Sequence, residues 1–211
     1  MNFVKHSNLE GKHALLSPSK WNWLNDDEES LMKRIRSSYS QEVGTILHAS
    51  AAKRIKYGFK LSKSDKKNII LELLDSGIPE SVVNTLDIDF IFTNLQTYVN
   101  DCIGFKMTPE VVLYYSDYFF GTTDCIRFSE KENFLRIHDL KTGTLPAHME
   151  QLFIYAALFC LEYRKKPYEF NTELRIYQNN EIIFHHPEPE EIVPVIDKIV
   201  TFDNFLRRIN K

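Results

Sequence analysis

The chain has few of the residues that mark several common protein classes. Its 211 residues include three cysteines and no uninterrupted apolar run long enough to span a bilayer. The cysteines Cys102, Cys125 and Cys160 form no CxxC pair. Their spacing excludes a disulfide framework and favours a reducing cytoplasm. Because the first residues also form no signal-peptide core, we expect a cytoplasmic protein without a membrane partner.

A large excess of one charge is also lacking. The net charge of −3 excludes a protein that is basic over its whole surface, so any contact with nucleic acid has to be a local patch. One stretch concentrates positive charge: Lys53, Arg54, Lys56, Lys60, Lys63, Lys66 and Lys67. It suits a solvated helix–loop–helix face and a track for phosphates equally well. No GxxxxGK[ST] motif is present, so we expect no ATP site.

The composition instead favours a folded protein with a substantial core, because 43% of the residues are hydrophobic and 13% are aromatic. We expect a single domain over residues 1–211, with a mainly helical lobe over 1–107 and a sheet core over 108–211. The helical lobe is predicted to begin with a short helix at Ser17-Pro18. A helix over about 26–38 follows, and Ser40 then caps a separate helix that ends before Gly58.

Alternation and turn residues predict strands in the second half. Three β-rich runs cover 111–115, 118–128 and 134–140. An apolar helix over 147–164 follows, then a hairpin around Asn179-Asn180 and a last helix over 189–208. The predicted fold class is α/β (α+β), with a central β-sheet flanked by helices and an added helical lobe.

Two short motifs carry the chemistry. Gly121-Thr-Thr-Asp124 and His138-Asp-Leu-Lys-Thr-Gly143 each lie at the end of an apolar run. If these runs pair as antiparallel strands, Asp124, Asp139 and Lys141 meet, and the last two leave their strand on the same face. Two carboxylates and an ammonium in an apolar setting favour a divalent-metal site. The alternative is an exposed strand pair beside a turn.

Helical residues on either side of these motifs add to the pattern. Gln151 and Tyr155 are four apart and share a helical face just downstream. In the first half, Gly44 allows close helix packing, and His48 projects one turn later on the same side. Taken alone, Tyr155 also suits a core aromatic and His48 a structural histidine.

Together these residues resemble the RecB-like branch of the PD-(D/E)XK nuclease superfamily. The resemblance rests on Gly44 to His48, Glu110, Gly121 to Asp124, Asp139 to Gly143 and Gln151 to Tyr155. It implies a restriction-endonuclease-like core with a central mixed sheet. It departs from relatives that hold an iron–sulfur cluster with four cysteines, so we expect no such cluster here.

The resemblance also implies a role for each residue. His48, Asp124, Asp139 and the Leu140 carbonyl would bind one or two Mg²⁺ or Mn²⁺ ions, with Asp124, Asp139 and Lys141 as catalytic groups. Gln151 and Tyr155 would support the site and contact DNA, and Glu110 would be a strand glutamate near it. The possible backbone track is Lys53, Arg54, Lys56, Lys60 and Lys63. His48 is expected within metal-binding reach of both aspartates.

The implied activity is metal-dependent hydrolysis of DNA, with an exonuclease in recombination or repair favoured, as phages encode. A phage enzyme of this kind would act in the host cell cytoplasm. A structure- or sequence-specific endonuclease is the first alternative, and a non-catalytic module that binds DNA or protein is the second. Association with a recombination protein, a helicase or a second copy of the chain stays open.

Overall fold

A computed structural model of the protein describes residues 6–9, 14–16, 18–143 and 146–209. The main helices are α1 (Glu28–Tyr57), α2 (Lys66–Asp75), α3 (Glu80–Val83), α4 (Ile88–Gly104), α5 (Glu150–Tyr163) and α6 (Pro189–Ile209). The strands are β1 (Thr108–Ser116), β2 (Phe119–Ser129), β3 (Phe134–Leu140), β4 (Asn171–Gln178) and β5 (Glu181–His185). Short 3₁₀ turns cover Ser7–Leu9, Pro18–Asn25, Lys63–Asp65 and Pro167–Glu169.

Helix α1 runs without interruption for 30 residues, which corrects the predicted break before Ser40. The Asp27 carboxylate caps it by accepting a hydrogen bond from the Ser30 amide at 2.8 Å. The Ser40 hydroxyl donates to the Ser37 carbonyl at 2.8 Å, so it bonds within the helix and does not begin a new one. The helix ends at Gly58, as predicted, with φ of +72°.

The short helix predicted at the start of the helical lobe is present, in the tighter 3₁₀ form. Residues Pro18–Asn25 form a 3₁₀ helix, and the predicted cap Ser17 lies outside the described residues. Within the described helices, none is long and apolar enough to cross a membrane.

The five strands form one mixed sheet in the order β1-β2-β3-β4-β5. Neighbouring strands are antiparallel except β3 and β4, which are parallel and are joined through α5. Asn179 and Asn180 link β4 to β5 with φ of 55° and 59°, the left-handed pair that a tight hairpin requires. The predicted class, a central mixed sheet flanked by helices with a helical N-terminal segment, is confirmed.

Helices cover both faces of the sheet and so form two cores. On one side, Cys125, Leu140 and Tyr177 of the sheet join the core made by the helices of the first half, including Leu47 of α1. On the other side, α5 and α6 pack on residues such as Ile137. The middle of β2 and the end of β3 therefore lie where α1 and α5 approach the sheet from opposite sides.

Candidate active site

The two acids meet where the pairing between β2 and β3 stops, with Asp124 in the middle of β2 and Asp139 next to the last residue of β3. The last recorded pair between these strands is Cys125 with His138, and Asp124 and Asp139 lie one residue beyond it. Asp139 is only 4% exposed. One oxygen of Asp124 accepts a hydrogen bond from the Leu140 amide at 2.8 Å, which ties the first acid to the strand that carries the second.

Helix α1 brings His48 to this point. Its Nδ1 lies 3.3 Å from Oδ1 of Asp124. The approach depends on Gly44 one turn earlier, because a Cβ atom there would lie 2.9 Å from Oγ1 of Thr142. Burial lowers the pKa of His48, but the hydrogen bond to Asp124 and the nearby carboxylate charges outweigh burial and raise this pKa.

Lys141 faces the second acid, as the two-residue strand period predicts. Its Nζ lies 2.9 Å from Oδ2 of Asp139 and donates a hydrogen bond to Oε1 of Gln151 at 2.8 Å. The amide of Gln151 in turn donates to the Tyr155 hydroxyl at 3.4 Å. The structure thus links the ammonium to α5 through a continuous chain of polar groups.

Tyr155 closes this chain back onto β2. Its hydroxyl donates to the Thr122 carbonyl at 2.6 Å. The ring lies so close to the strand that a Cβ atom on Gly121 would be 3.0 Å from Cε1 of Tyr155. Gly44 of α1 and Gly121 of β2 are therefore positions of close approach, the first to Thr142 and the second to Tyr155 of α5.

The buried carboxyl of Asp139 has the most perturbed acidity in the site. Burial, followed by the charge of Asp124, raises its pKa to about 6, although Lys141 and His48 act in the opposite direction. Its Oδ2 is buried and lies 2.9 Å from the Lys141 ammonium, whose charge and hydrogen bond lower the pKa without offsetting burial. The available positive charge only partly neutralises this acid.

Glu110 lies beside the acids on β1, in a left-handed conformation with φ of 54°. Burial and the charge of Asp124 raise its pKa, while His48 lowers it. Glu110, Asp124 and His48 line one open cleft of about 740 Å³ with Thr122 and residues of α1. The position near the site agrees with the expectation, and its role in catalysis stays a prediction.

The side chains of the site are suitable ligands for a hard cation, although they already form ion pairs within the protein. Carboxylate oxygens and an imidazole nitrogen are ligands that Mg²⁺ or Mn²⁺ accepts. In the described part of the chain, no three His, Cys, Asp or Glu side chains are already arranged as a metal-binding group. His48 is paired with Asp124, and Lys141 is paired with Asp139. A cation would compete with these two cationic partners. The ligand role of the Leu140 carbonyl stays a prediction.

The possible phosphate track is only partly free for such a role. Arg54 is ion-paired with Glu72 at 2.6 Å and also donates to Ser50, so its guanidinium is engaged within the protein. Lys53 and Lys60 line a second cleft beside this pair. Of the remaining cations, Lys56 lies over the Tyr57 ring, Lys63 is in a 3₁₀ turn and Lys66 pairs with Asp89.

Three supporting contacts were not anticipated from the sequence. Thr142 packs against Gly44, the Thr122 carbonyl holds Tyr155, and buried Asn94 of α4 donates to the carbonyls of Lys141 and Tyr177, at 3.2 Å each. No local sequence pattern predicts these contacts. Two of them involve backbone carbonyls, which any residue has, and the contacting residues are distant in sequence.

The comparisons with known proteins establish a family but not an activity. A family model described as "Protein of unknown function (DUF2800)" matches residues 13–180, and the chain belongs to this family. The match contains all the residues of the acid site. Searches of curated proteins and of solved structures give no match.

Proposed function

We propose that this member of the DUF2800 family is a Mg²⁺- or Mn²⁺-dependent deoxyribonuclease. The main support is the state of Asp139, a carboxyl that is 4% exposed and has a pKa raised to about 6 beside a second carboxylate. Buried acids are costly unless a cation neutralises them, and Lys141 does so only in part. A divalent cation would complete the neutralisation.

The proposal assigns the cation to Asp124, Asp139 and His48. When bound, such an ion polarises a phosphoryl oxygen and lowers the pKa of water. For His48 to act as a ligand, its ring nitrogen has to be free of a proton, although the neighbouring acids raise its pKa. The same charge that favours a protonated histidine therefore also attracts the cation that replaces the proton.

Lys141 supplies the positive charge that phosphodiester hydrolysis requires. Its ammonium is held at the site by Gln151, which is held in turn by Tyr155. We assign it to orienting the attacking water or stabilising the charge that develops on the phosphate. Gln151 and Tyr155 are positioning residues in this proposal, because they reach the reacting atoms through Lys141.

We propose exonuclease action in recombination or repair on the basis of the resemblance to RecB-like nucleases. The open cleft is equally compatible with endonuclease activity. Circular DNA separates the two activities, because an exonuclease needs a free end. The partner in either case is DNA.

The decisive experiment measures hydrolysis of linear and circular DNA in Mn²⁺. We expect Asp124→Asn and Lys141→Ala each to lose activity by at least about 100-fold, the lower range for removal of a positioned catalytic group. Exposed residues of α6 provide matched controls, and Asp197→Asn and Lys198→Ala should retain full activity. Thermal unfolding of all four proteins shows which of them are folded at the assay temperature, and activities are compared only between folded proteins. Undiminished hydrolysis by either site variant would overturn the assignment.

A further inference from the structure

The outer face of the β1–β2 hairpin carries an unusual sequence of side chains. Along β1 and β2, alternate residues point to this face, so three successive cross-strand positions form a ladder. We call it the hairpin row. From the hairpin tip inward it comprises Tyr114 and Phe120, then Val112 and Thr122, then Glu110 and Asp124. The residues at each of the first two positions are directly paired in the sheet. The two acids lie opposite each other between the paired residues on either side of them.

The tip of the hairpin row is aromatic and exposed. Phe120 is 60% exposed, Val112 is 54% exposed and Tyr114 is 48% exposed. The centroids of the Tyr114 and Phe120 rings lie 6.4 Å apart, with the ring planes inclined by 33°. A hydrogen bond of 2.8 Å from the Tyr114 hydroxyl to Asp117 fixes the first ring. The two neighbouring rings therefore form an aromatic surface that faces solvent.

The inner end of the hairpin row is the candidate active site itself. Thr122, Glu110 and Asp124 line the cleft that also contains His48. Asp124 lies four positions after Phe120 along β2, a distance of roughly 13 Å in an extended strand. A stacked nucleic-acid strand, with its repeat of about 3.4 Å, covers this distance with about four nucleotides.

We infer that the hairpin row binds unpaired bases of single-stranded DNA and leads that strand to the acids. This inference rests on the proposed nuclease function. Because the row ends in the cleft, whatever covers it also enters the site, so its occupant is the substrate. The six side chains of the row include no cation to hold phosphates, but they offer two ring faces. Only unpaired bases expose faces that can stack on such rings.

The experiment uses the full chain and two labelled oligonucleotides, a twelve-residue oligothymidine and a twelve-residue strand of abasic sites, in EDTA so that neither is cut. Their backbones are alike, so the affinity difference in fluorescence anisotropy measures base contacts. We expect the wild type to bind oligothymidine about tenfold more tightly than the abasic strand, a typical effect of stacking. Phe120→Ala should lose this preference, and Phe120→Trp should keep it.

Phe184 is the matched control, because it is an aromatic residue of β5 that is 63% exposed. Phe184→Ala should retain the preference for oligothymidine. A wild type that binds both oligonucleotides equally, or a Phe120→Ala variant that retains the preference, would overturn the inference. Hydrolysis in Mn²⁺ is scored separately. If the protein cuts DNA but shows no preference for oligothymidine, only the inferred role of the hairpin row is overturned. If it shows the preference but does not cut DNA, the proposed nuclease function is overturned.

Discussion

Two buried carboxyl groups on neighbouring strands show opposite acidities. Glu173 of β4 is 5% exposed and Asp139 of β3 is 4% exposed, so both are hidden from solvent, although Asp139 is surrounded by more protein. Burial raises both pKa values. In Glu173 the partners more than reverse this effect and hold the pKa at about 2, whereas Asp139 reaches about 6. The deeper burial of Asp139 contributes to the difference in pKa, and the neighbouring charges reverse the direction at Glu173.

Glu173 is paired with two arginines and lies beside His138, whose pKa is lowered by burial. Arg175 lies 2.9 Å away and Arg136 lies 3.1 Å away, while His138 is at 3.5 Å. Asp139 has one ammonium and a second carboxylate nearby, and the charge of His48 also lowers its pKa. The adjacent residues His138 and Asp139 thus belong to different environments. The first contributes to a neutralised structural network, and the second remains short of positive charge. This contrast supports an external cation at Asp139 and none at Glu173.

The largest expected effect on stability comes from breaking the Glu173 network. Glu173→Gln leaves two arginines without their shared carboxylate, and breaking a buried ion pair typically costs about 3–5 kcal/mol. Because both arginines are about one-fifth exposed, we expect about 3 kcal/mol at pH 7. Urea unfolding measures the change, with the exposed Glu169→Gln as control. A loss below about 1 kcal/mol would show that the network is not structural.

A smaller effect of opposite sign is expected for Asp139→Asn in EDTA. Between the ordinary carboxyl pKa of 3.8 and about 6, the folded protein holds more protons at Asp139 than the unfolded chain. Stability contributed by this group therefore falls as pH rises through that window. Asparagine removes the ionisation but also the ion pair with Lys141, so we expect a net gain on the order of 1 kcal/mol at pH 7.5.

The two substitutions, Glu173→Gln and Asp139→Asn, should change the pH dependence of stability in different pH ranges. For Glu173, whose folded pKa is lowered from 4.5, stability is present above 4.5 and is lost as pH falls towards about 2. Urea unfolding from pH 3 to pH 8 should show that Glu173→Gln flattens the acidic limb. Asp139→Asn should reduce only the loss of stability that the wild type shows as pH rises from about 4 to about 6. An Asp139→Asn profile parallel to wild type would contradict the raised pKa.

The local part of this arrangement could be predicted from the sequence. Alternation placed β3 at residues 134–140, as observed, and the strand period placed Asp139 and Lys141 on one face. The Asn179-Asn180 turn was also evident, because asparagine tolerates the left-handed conformation. The break before Ser40 was wrong, since a serine hydroxyl bonds equally well inside a helix, and only the tertiary context decides.

The long-range part could not be predicted from local patterns. His48 came to the site through the resemblance, since no spacing rule connects α1 to β2. The Glu173 network was missed entirely, because its members come from β3 and β4 and look in sequence like ordinary charged strand residues. The degree to which neighbours neutralise a buried acid depends on strand register, which sets both carboxyl environments here.

The most direct test of the contrast is calorimetric titration of Mn²⁺ into the wild type, Asp139→Asn and the control Asp197→Asn at pH 7.5. We predict that the wild type and the control bind Mn²⁺ alike and that Asp139→Asn loses at least about tenfold in affinity. Binding by the wild type should weaken at pH 5.5, where Asp139 and His48 take up protons. Absence of binding to the wild type, or equal affinity of Asp139→Asn, would contradict a cation site at this acid.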